Sequence, residues 1–168
     1  TIIGASLLFS NCGDCYSAYV CSRHALKIIQ GLTKRDEFLN QSKLKALRVQ
    51  TEALFGRGLF RYFEFNLDEI FEEATKVFLY LKKARKEIRK SALKEYTKLI
   101  HSMMNYVSNV GNASEILDLL DKVPLKDEEM TGLRIRASLH LILLLDPRPK
   151  NCLKRQKLWN ALIPQSYL

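Results

Sequence analysis

Turn-forming residues are scarce in this chain, with 7 glycines and 4 prolines among 168 residues. A sandwich or barrel built from short strands needs more punctuation than that, so an all-β fold is disfavoured. Long apolar runs are missing as well. Ile2 to Phe9 has no basic flank, and Leu139 to Leu145 is interrupted by His140. Both fall far short of the ~20 residues that span a bilayer, and the first reads as a core helix segment. No lipidation motif sits at the Leu168 end. The first residue is Thr1 rather than Met, which suggests a piece of a longer protein.

Motifs of chemistry are also lacking. The sequence holds no phosphate loop, dinucleotide fingerprint or nucleophile motif, and His24, His101 and His140 are widely separated. Asp127-Glu-Glu129 fits the start of a helix better than a catalytic acid pair. The expectation is therefore a non-enzymatic protein with no cofactor.

Cysteines number four, and three of them crowd together as Cys12, Cys15 and Cys21, with Cys152 remote. That is a poor disulfide framework, and reduced thiols in an intracellular protein, nuclear or cytoplasmic, fit better. The sequons Asn40-Gln-Ser42 and Asn112-Ala-Ser114 would matter only in a secreted chain. Cys12, Cys15, Cys21 and His24 have the residue types of a zinc site. Five residues between the pairs leave little chain to wrap one metal, so a Gly-Asp turn flanked by cysteines outranks zinc here.

What is present is helical periodicity. With 47% hydrophobic and 27% charged residues the chain is globular. Leu67, Ile70, Phe71, Ala74, Val77, Phe78, Leu81, Ala84 and Ile88 mark one face of a helix about six turns long. A second helix is predicted from near Ser42 to Phe63, with apolar residues on a broad face that suits a helix squeezed between neighbours. A third is predicted over Ala92 to Val110. Shorter ones fit Asp14 to Ile29, Ala113 to Lys122 and Glu128 to Leu145, with a final one over Lys150 to Leu162. Gly13-Asp14, Asn66 and Gly111-Asn112 supply caps and left-handed turns, while Pro124, Pro147 and Pro149 end helices. The fold class is all-α.

Anchoring on Asp14, Asn66 and Asn112 exposes a partial repeat. Four residues on stand Ala18, Ile70 and Ile116, and eleven on stand Ala25, Val77 and Val123. On these positions, and on Ala53-Leu-Phe-Gly-Arg-Gly58 leading to Asn66 and Ala74, the chain resembles the tetratricopeptide-repeat family. The anchors lie 52 and 46 residues apart, longer than that family's period of about 34. The resemblance implies antiparallel helix pairs stacked as a short α-solenoid over residues 1–145, with a basic segment over 146–168, all in one domain. A compact helical bundle is the alternative. Gly56 and Gly58, costing about 1 kcal/mol each inside a helix, are expected to allow close helix approach.

The charge is the other strong feature: 27 Lys and Arg against 18 Asp and Glu, net +9. Lys82, Lys83, Arg85, Lys86, Arg89, Lys90, Lys94 and Lys98 fall within 17 residues, opposed only by Glu87 and Glu95. Arg148, Lys150, Lys154, Arg155 and Lys157 form a second group leading to Trp159. The resemblance implies a scaffold that binds partner proteins in a groove of successive first helices. Arg57 and Arg61 are the candidate groove residues, and Lys82, Lys86, Arg89, Lys90, Lys94, Lys154 and Arg155 would attract an acidic partner. The alternative is a basic helical module that grips DNA or RNA backbones without reading sequence. A third reading, a secreted helical cytokine, would require paired rather than free cysteines. No membrane contact is expected.

Overall fold

The computed structural model describes residues 2–32, 36–56, 58–110 and 121–123, together with Ile135 and Lys157 as single helical positions. The chain divides into two compact units, residues 1–103 and 104–168. In the second, Met104 and Val123 are buried and Lys122 and Lys157 exposed. The predicted helices beyond Val110, the turn Gly111-Asn112 and prolines 124, 147 and 149 lie outside the described residues, apart from helical Asp121, Lys122, Ile135 and Lys157.

In chain order the described elements are α1 (Ile2–Asn11), α2 (Cys15–Gly31), α3 (Glu37–Thr51), a π-helical turn (Glu52–Gly56), a 3-10 turn (Leu59–Arg61), α4 (Leu67–Leu81) and α5 (Lys86–Val110), and the first unit ends within α5, at Met103. Every regular element among the described residues is helical. Three of the helices start on an Asx cap. The side chain of Asp14 accepts the N–H of Ser17, that of Asp36 the N–H of Leu39, and that of Asn66 the N–H of Glu69. Each satisfies a first-turn donor that the helix itself cannot. Hydrogen bonds from Ser17, its hydroxyl first and its backbone N–H second, hold the Asp14 carboxyl below its ordinary pKa. Gly13 turns the chain between α1 and α2 with φ +81°, a conformation that costs a residue with a Cβ.

Three predicted helices have different bounds, the one expected over Ala92 to Val110 beginning already at Lys86. The one expected from Ser42 to Phe63 starts at the Asp36 cap and stops at Thr51, widening into the π turn. Gly58 lies outside any helix, with φ +77° and no neighbouring atom within 4 Å of where a Cβ would stand. Its role is the left-handed turn rather than the close helix approach expected of it. The long amphipathic helix expected through Ile88 is two helices. Ala84 and Ile88 keep the i+3 and i+7 spacing from Leu81, so the apolar period reads straight through a real break. At that break the N–H groups of Lys83 and Ala84 turn back to the carbonyls of Tyr80 and Leu81.

The break is fixed by packing. α5 folds back so that the ring of Tyr96 stacks on Phe78, centroids 4.5 Å apart and planes at 12°. The hydroxyls of Tyr96 and Thr75 are 2.8 Å apart in a hydrogen bond. Tyr96, Leu99, Ile100 and Met103 of α5 are fully buried, as are Ala74, Phe78 and Leu81 of α4 to within a few per cent.

The architecture overturns the tetratricopeptide resemblance and the α-solenoid that it implied. In a solenoid each repeat touches only its neighbours along a line. Here α3 packs against α1, α2 and α4, and its Arg48 reaches Glu95 of α5. The helices converge on α3 as a compact bundle, the alternative architecture. Its residues Leu44, Ala46, Leu47, Arg48, Val49 and Thr51 are all buried, which is burial all round rather than along one stripe. The shared offsets that suggested a repeat are those of any capped amphipathic helix.

α1 is also helical as expected, but it is not core. Only Ser6 is buried, while Leu8 is 66% exposed and Ile2 and Phe9 are exposed too. Its apolar residues go all round a short helix, and contact on one side leaves the rest in solvent. Among the described residues no helix is long and apolar enough to cross a membrane.

Arg48, 8% exposed, sits between two carboxylates. It hydrogen-bonds Glu52 one turn on. Its Nε lies 2.7 Å from Oε2 of Glu95, in an ion pair that lacks hydrogen-bond alignment. Removing one member of such a set leaves the other charge uncompensated. Arg48→Ala should therefore lower stability by about 3 kcal/mol in urea denaturation. Tyr96 gives a second prediction. Burial pushes its pKa up to about 12, against the opposing hydrogen bond from Thr75. Because the folded value is raised, its contribution is complete below pH ~10 and is lost as pH rises toward ~12. Thermal melts should show an alkaline loss of stability over that range, and Tyr96→Phe should remove part of it.

Candidate functional site

The break between α4 and α5 gathers the basic run at one corner of the bundle. Lys82, Lys83 and Arg85 lie in the turn, and Lys86, Arg89, Lys90, Lys94 and Lys98 follow along α5. All eight are exposed. The i, i+4 series Lys86, Lys90, Lys94 and Lys98 makes a stripe about 18 Å long at 1.5 Å per residue. Its period of four drifts slowly round the helix, and Arg89 widens it at the N-terminal end. The opposite face of α5 is the buried one, with Ala92, Tyr96, Leu99 and Met103. The stripe is therefore where the helix meets water.

Unpaired bases occur elsewhere among the described residues too, Arg23, Lys27, Lys45 and Arg61 among them, so density is what makes this corner distinctive. Lys43 pairs with Glu73, Arg48 with Glu52 and Glu95, and Lys76 with Glu72. Among the described residues none of the eight corner bases has an acidic partner. Of the two nearby acids, Glu95 is taken by Arg48, which leaves Glu87 alone against eight positive charges.

The start of α5 adds to this. α2, α3 and α4 begin on Asp14, Asp36 and Asn66, whereas the N–H of Arg89 closes onto the carbonyl of Arg85, placing Arg85 at the cap position. An arginine side chain has no acceptor, and among the described residues no side chain accepts the first-turn N–H groups of α5. Lys86, Arg89 and Lys90 then crowd the positive end of the helix dipole, where bases are disfavoured and an anion is favoured. Lys83 and Arg85, which would suit the dipole at the end of a helix running on to Ile88, instead stand just before a new helix start whose first turn carries one acid, Glu87.

The other candidate residues are placed as follows. Arg61 is exposed on the 3-10 turn with its guanidinium 5.7 Å from the ring centroid of neighbouring Phe60. The groove of successive first helices assigned to it falls with the solenoid. Arg57, Lys154, Arg155 and the rest of the second basic group lie outside the described residues, except Lys157, which is helical and exposed. The zinc quartet is not gathered. Cys12, Cys15 and Cys21 are free thiols, the Sγ of Cys15 donates to the carbonyl of Gly13 at 3.3 Å, and His24 is exposed on α2. Among the described residues no three His, Cys, Asp or Glu side chains converge as a metal site would require. Cys152 and His140 lie outside the described residues.

The basic run is visible in the sequence, but the uncapped start of α5 within it was missed. The available signal was the absence of any Ser, Thr, Asp or Asn between Leu81 and Lys90. No known family, curated protein or solved structure matches the chain.

Repulsion within the stripe has a measurable cost. Lys90 lies four residues from both Lys86 and Lys94 and three from Glu87, so Lys90→Glu turns two repulsive pairs attractive and one attractive pair repulsive. The variant should be more stable than the wild type by about 0.5 kcal/mol at low salt. Thermal melts in rising sodium chloride should show that gain fading as the charges are screened.

Proposed function

We propose that this chain is a non-enzymatic module that binds the phosphate backbone of DNA or RNA through the α4–α5 corner, without reading base sequence. The observation that carries the reading is that eight exposed bases stand together without internal acidic partners. The uncapped, positive start of α5 supports it, since phosphate oxygens accept backbone N–H groups and basic side chains alike. A stripe about 18 Å long faces roughly ten phosphate charges of a duplex at one per ~1.7 Å of axis. Lysines four apart on a straight helix follow a backbone. They offer no planar, bidentate match to a base edge.

An acidic protein surface would also be attracted by this charge, and polyglutamate separates the two. Fluorescence anisotropy with two labelled duplexes of unrelated sequence should give equal affinities. About six phosphate contacts would cost on the order of 1,000-fold in affinity between 50 and 200 mM salt. The triple variant Lys86→Glu, Arg89→Glu, Lys90→Glu should weaken binding at least 100-fold and lower the salt slope by about three units, with its helical circular dichroism retained. Unchanged affinity in that variant, or tighter binding to polyglutamate than to either duplex, would turn the reading down.

A further inference from the structure

A second surface lies on another side of the same bundle. α2 and α4 form two walls over α3, and the space between them holds two adjoining hollows of about 500 and 340 Å³. Both are bordered by Gln30, Lys43 and Glu73, so they form one groove with the Lys43–Glu73 ion pair across its middle. Along α4 the groove runs from the Asn66 cap to Tyr80, about 21 Å at 1.5 Å per residue. Ile29, Leu39 and Val77 line one half and Leu26, Leu47 and Ile70 the other. At the open end Leu32 and Tyr80 are 48% and 46% exposed, large apolar side chains with solvent over them.

In the half nearer Phe65 the walls carry opposite charge, while in the other half Lys76 is the charged wall residue beside the Lys43–Glu73 pair. Arg23 and Lys27 stand on the α2 side of one half, and Glu64 and Glu69 on the α4 side. None of the four has an ion-pair partner among the described residues, so the walls face each other without closing. A bound element with an acidic flank and a basic flank would satisfy both at once. Nucleic acid would not, because the acidic wall repels it.

We propose that this groove docks an amphipathic helix of a partner protein, about 14 residues long, with a central apolar stripe, acids along one flank and bases along the other. The length follows from the groove and the helical rise. A helix is required because its backbone hydrogen bonds are internal. An extended peptide would bury N–H and C=O groups against side-chain walls that offer no sheet edge to pair them. The apolar stripe meets Leu26, Leu47 and Ile70 on one side of the Lys43–Glu73 pair and Ile29, Leu39 and Val77 on the other. In the first of these halves the flanks meet Arg23 and Lys27 on one wall and Glu64 and Glu69 on the other.

The groove is separate from the basic corner. At about 100° per residue, Glu69, Glu73, Lys76 and Tyr80 of α4 point roughly 150° away from Phe71, Thr75 and Phe78, the side that holds α5. Docking in the groove therefore does not depend on nucleic-acid binding at the corner.

The test uses a labelled 14-residue helical peptide with leucines at i, i+3 and i+4 spacing, glutamates on one flank and lysines on the other. Its controls are a scrambled peptide of the same composition and a peptide with lysines on both flanks. By anisotropy, in the presence of a saturating duplex, the wild type should bind the mixed-flank peptide at least ten times tighter than the scrambled one. The variant Arg23→Glu, Lys27→Glu changes two exposed side chains and makes both walls acidic. It should lose at least tenfold for the mixed-flank peptide and come to prefer the peptide with two lysine flanks. The corner variant Lys86→Glu, Arg89→Glu, Lys90→Glu should bind the mixed-flank peptide as the wild type does. No preference over the scrambled peptide, an unchanged ranking in the wall variant, or displacement of the peptide by the duplex would overturn the proposal.

Discussion

A helix whose C-terminal half is buried on nearly every side, carrying an arginine into that burial, is the constraint on which the bundle depends. α3 can present Leu44, Ala46, Leu47 and Val49 to solvent-free surroundings only if neighbours close round it. α1, α2 and α4 do so directly. Arg48 extends the requirement to α5. Its charge is tolerable at 8% exposure because Glu52 lies one turn on and Glu95 comes in from another helix. Tyr96, one residue beyond Glu95, stacks on Phe78 and bonds Thr75, so the same stretch of α5 is held to two helices at once. The turn at Lys82 to Arg85 must occur where it does for these contacts to form.

The surface charge follows from that turn. In a helix running on to Ile88, Lys83 and Arg85 would have completed a favourable alignment of late bases with the helix dipole. Broken at Leu81, the same residues form a corner and the next bases open α5 at its positive end. Single unpaired bases such as Arg23, Lys27 and Lys45 also occur, and the corner stands apart by gathering eight of them within 17 residues. Stability is given up locally where an anion would restore it. That pattern is more specific than net charge, which speaks only to solubility and to generic attraction.

Basic corner and charged groove use different sides of α4 and different chemistry. The first has one sign and a repeating stripe, suited to a uniform polyanion. The second has apolar side chains on either side of an ion pair, oppositely charged walls in one half and a fixed length, suited to a single structured element. Both arise because α4 is amphipathic in two senses, with α5 on one side and an open channel over α3 on the other.

Helix content, the caps at Asp14 and Asn66, the left-handed Gly13 and the basic run were legible in the sequence, because capping chemistry, glycine conformation and the 3.6-residue period are local. The α3 cap at Asp36 and the break after Leu81 were not. Ala84 and Ile88 continue the apolar period through the turn, and only the pairing of Tyr96 with Phe78 and Thr75 shows why the chain reverses there. The burial breadth of α3 was visible as a broad apolar face, yet such a face suits a solenoid repeat and a bundle centre equally. Arg48 was the missed signal, a base inside an apolar stretch with Glu52 four residues later. Its second partner, Glu95, is 47 residues away in sequence, so the convergence that distinguishes bundle from solenoid is a long-range fact. The sequence by itself determined which segments are helical and how much charge they carry. Tertiary structure decided where the helices stop, which of them is central, and which charges are left without a partner, because each of those depends on contacts between residues far apart in the chain.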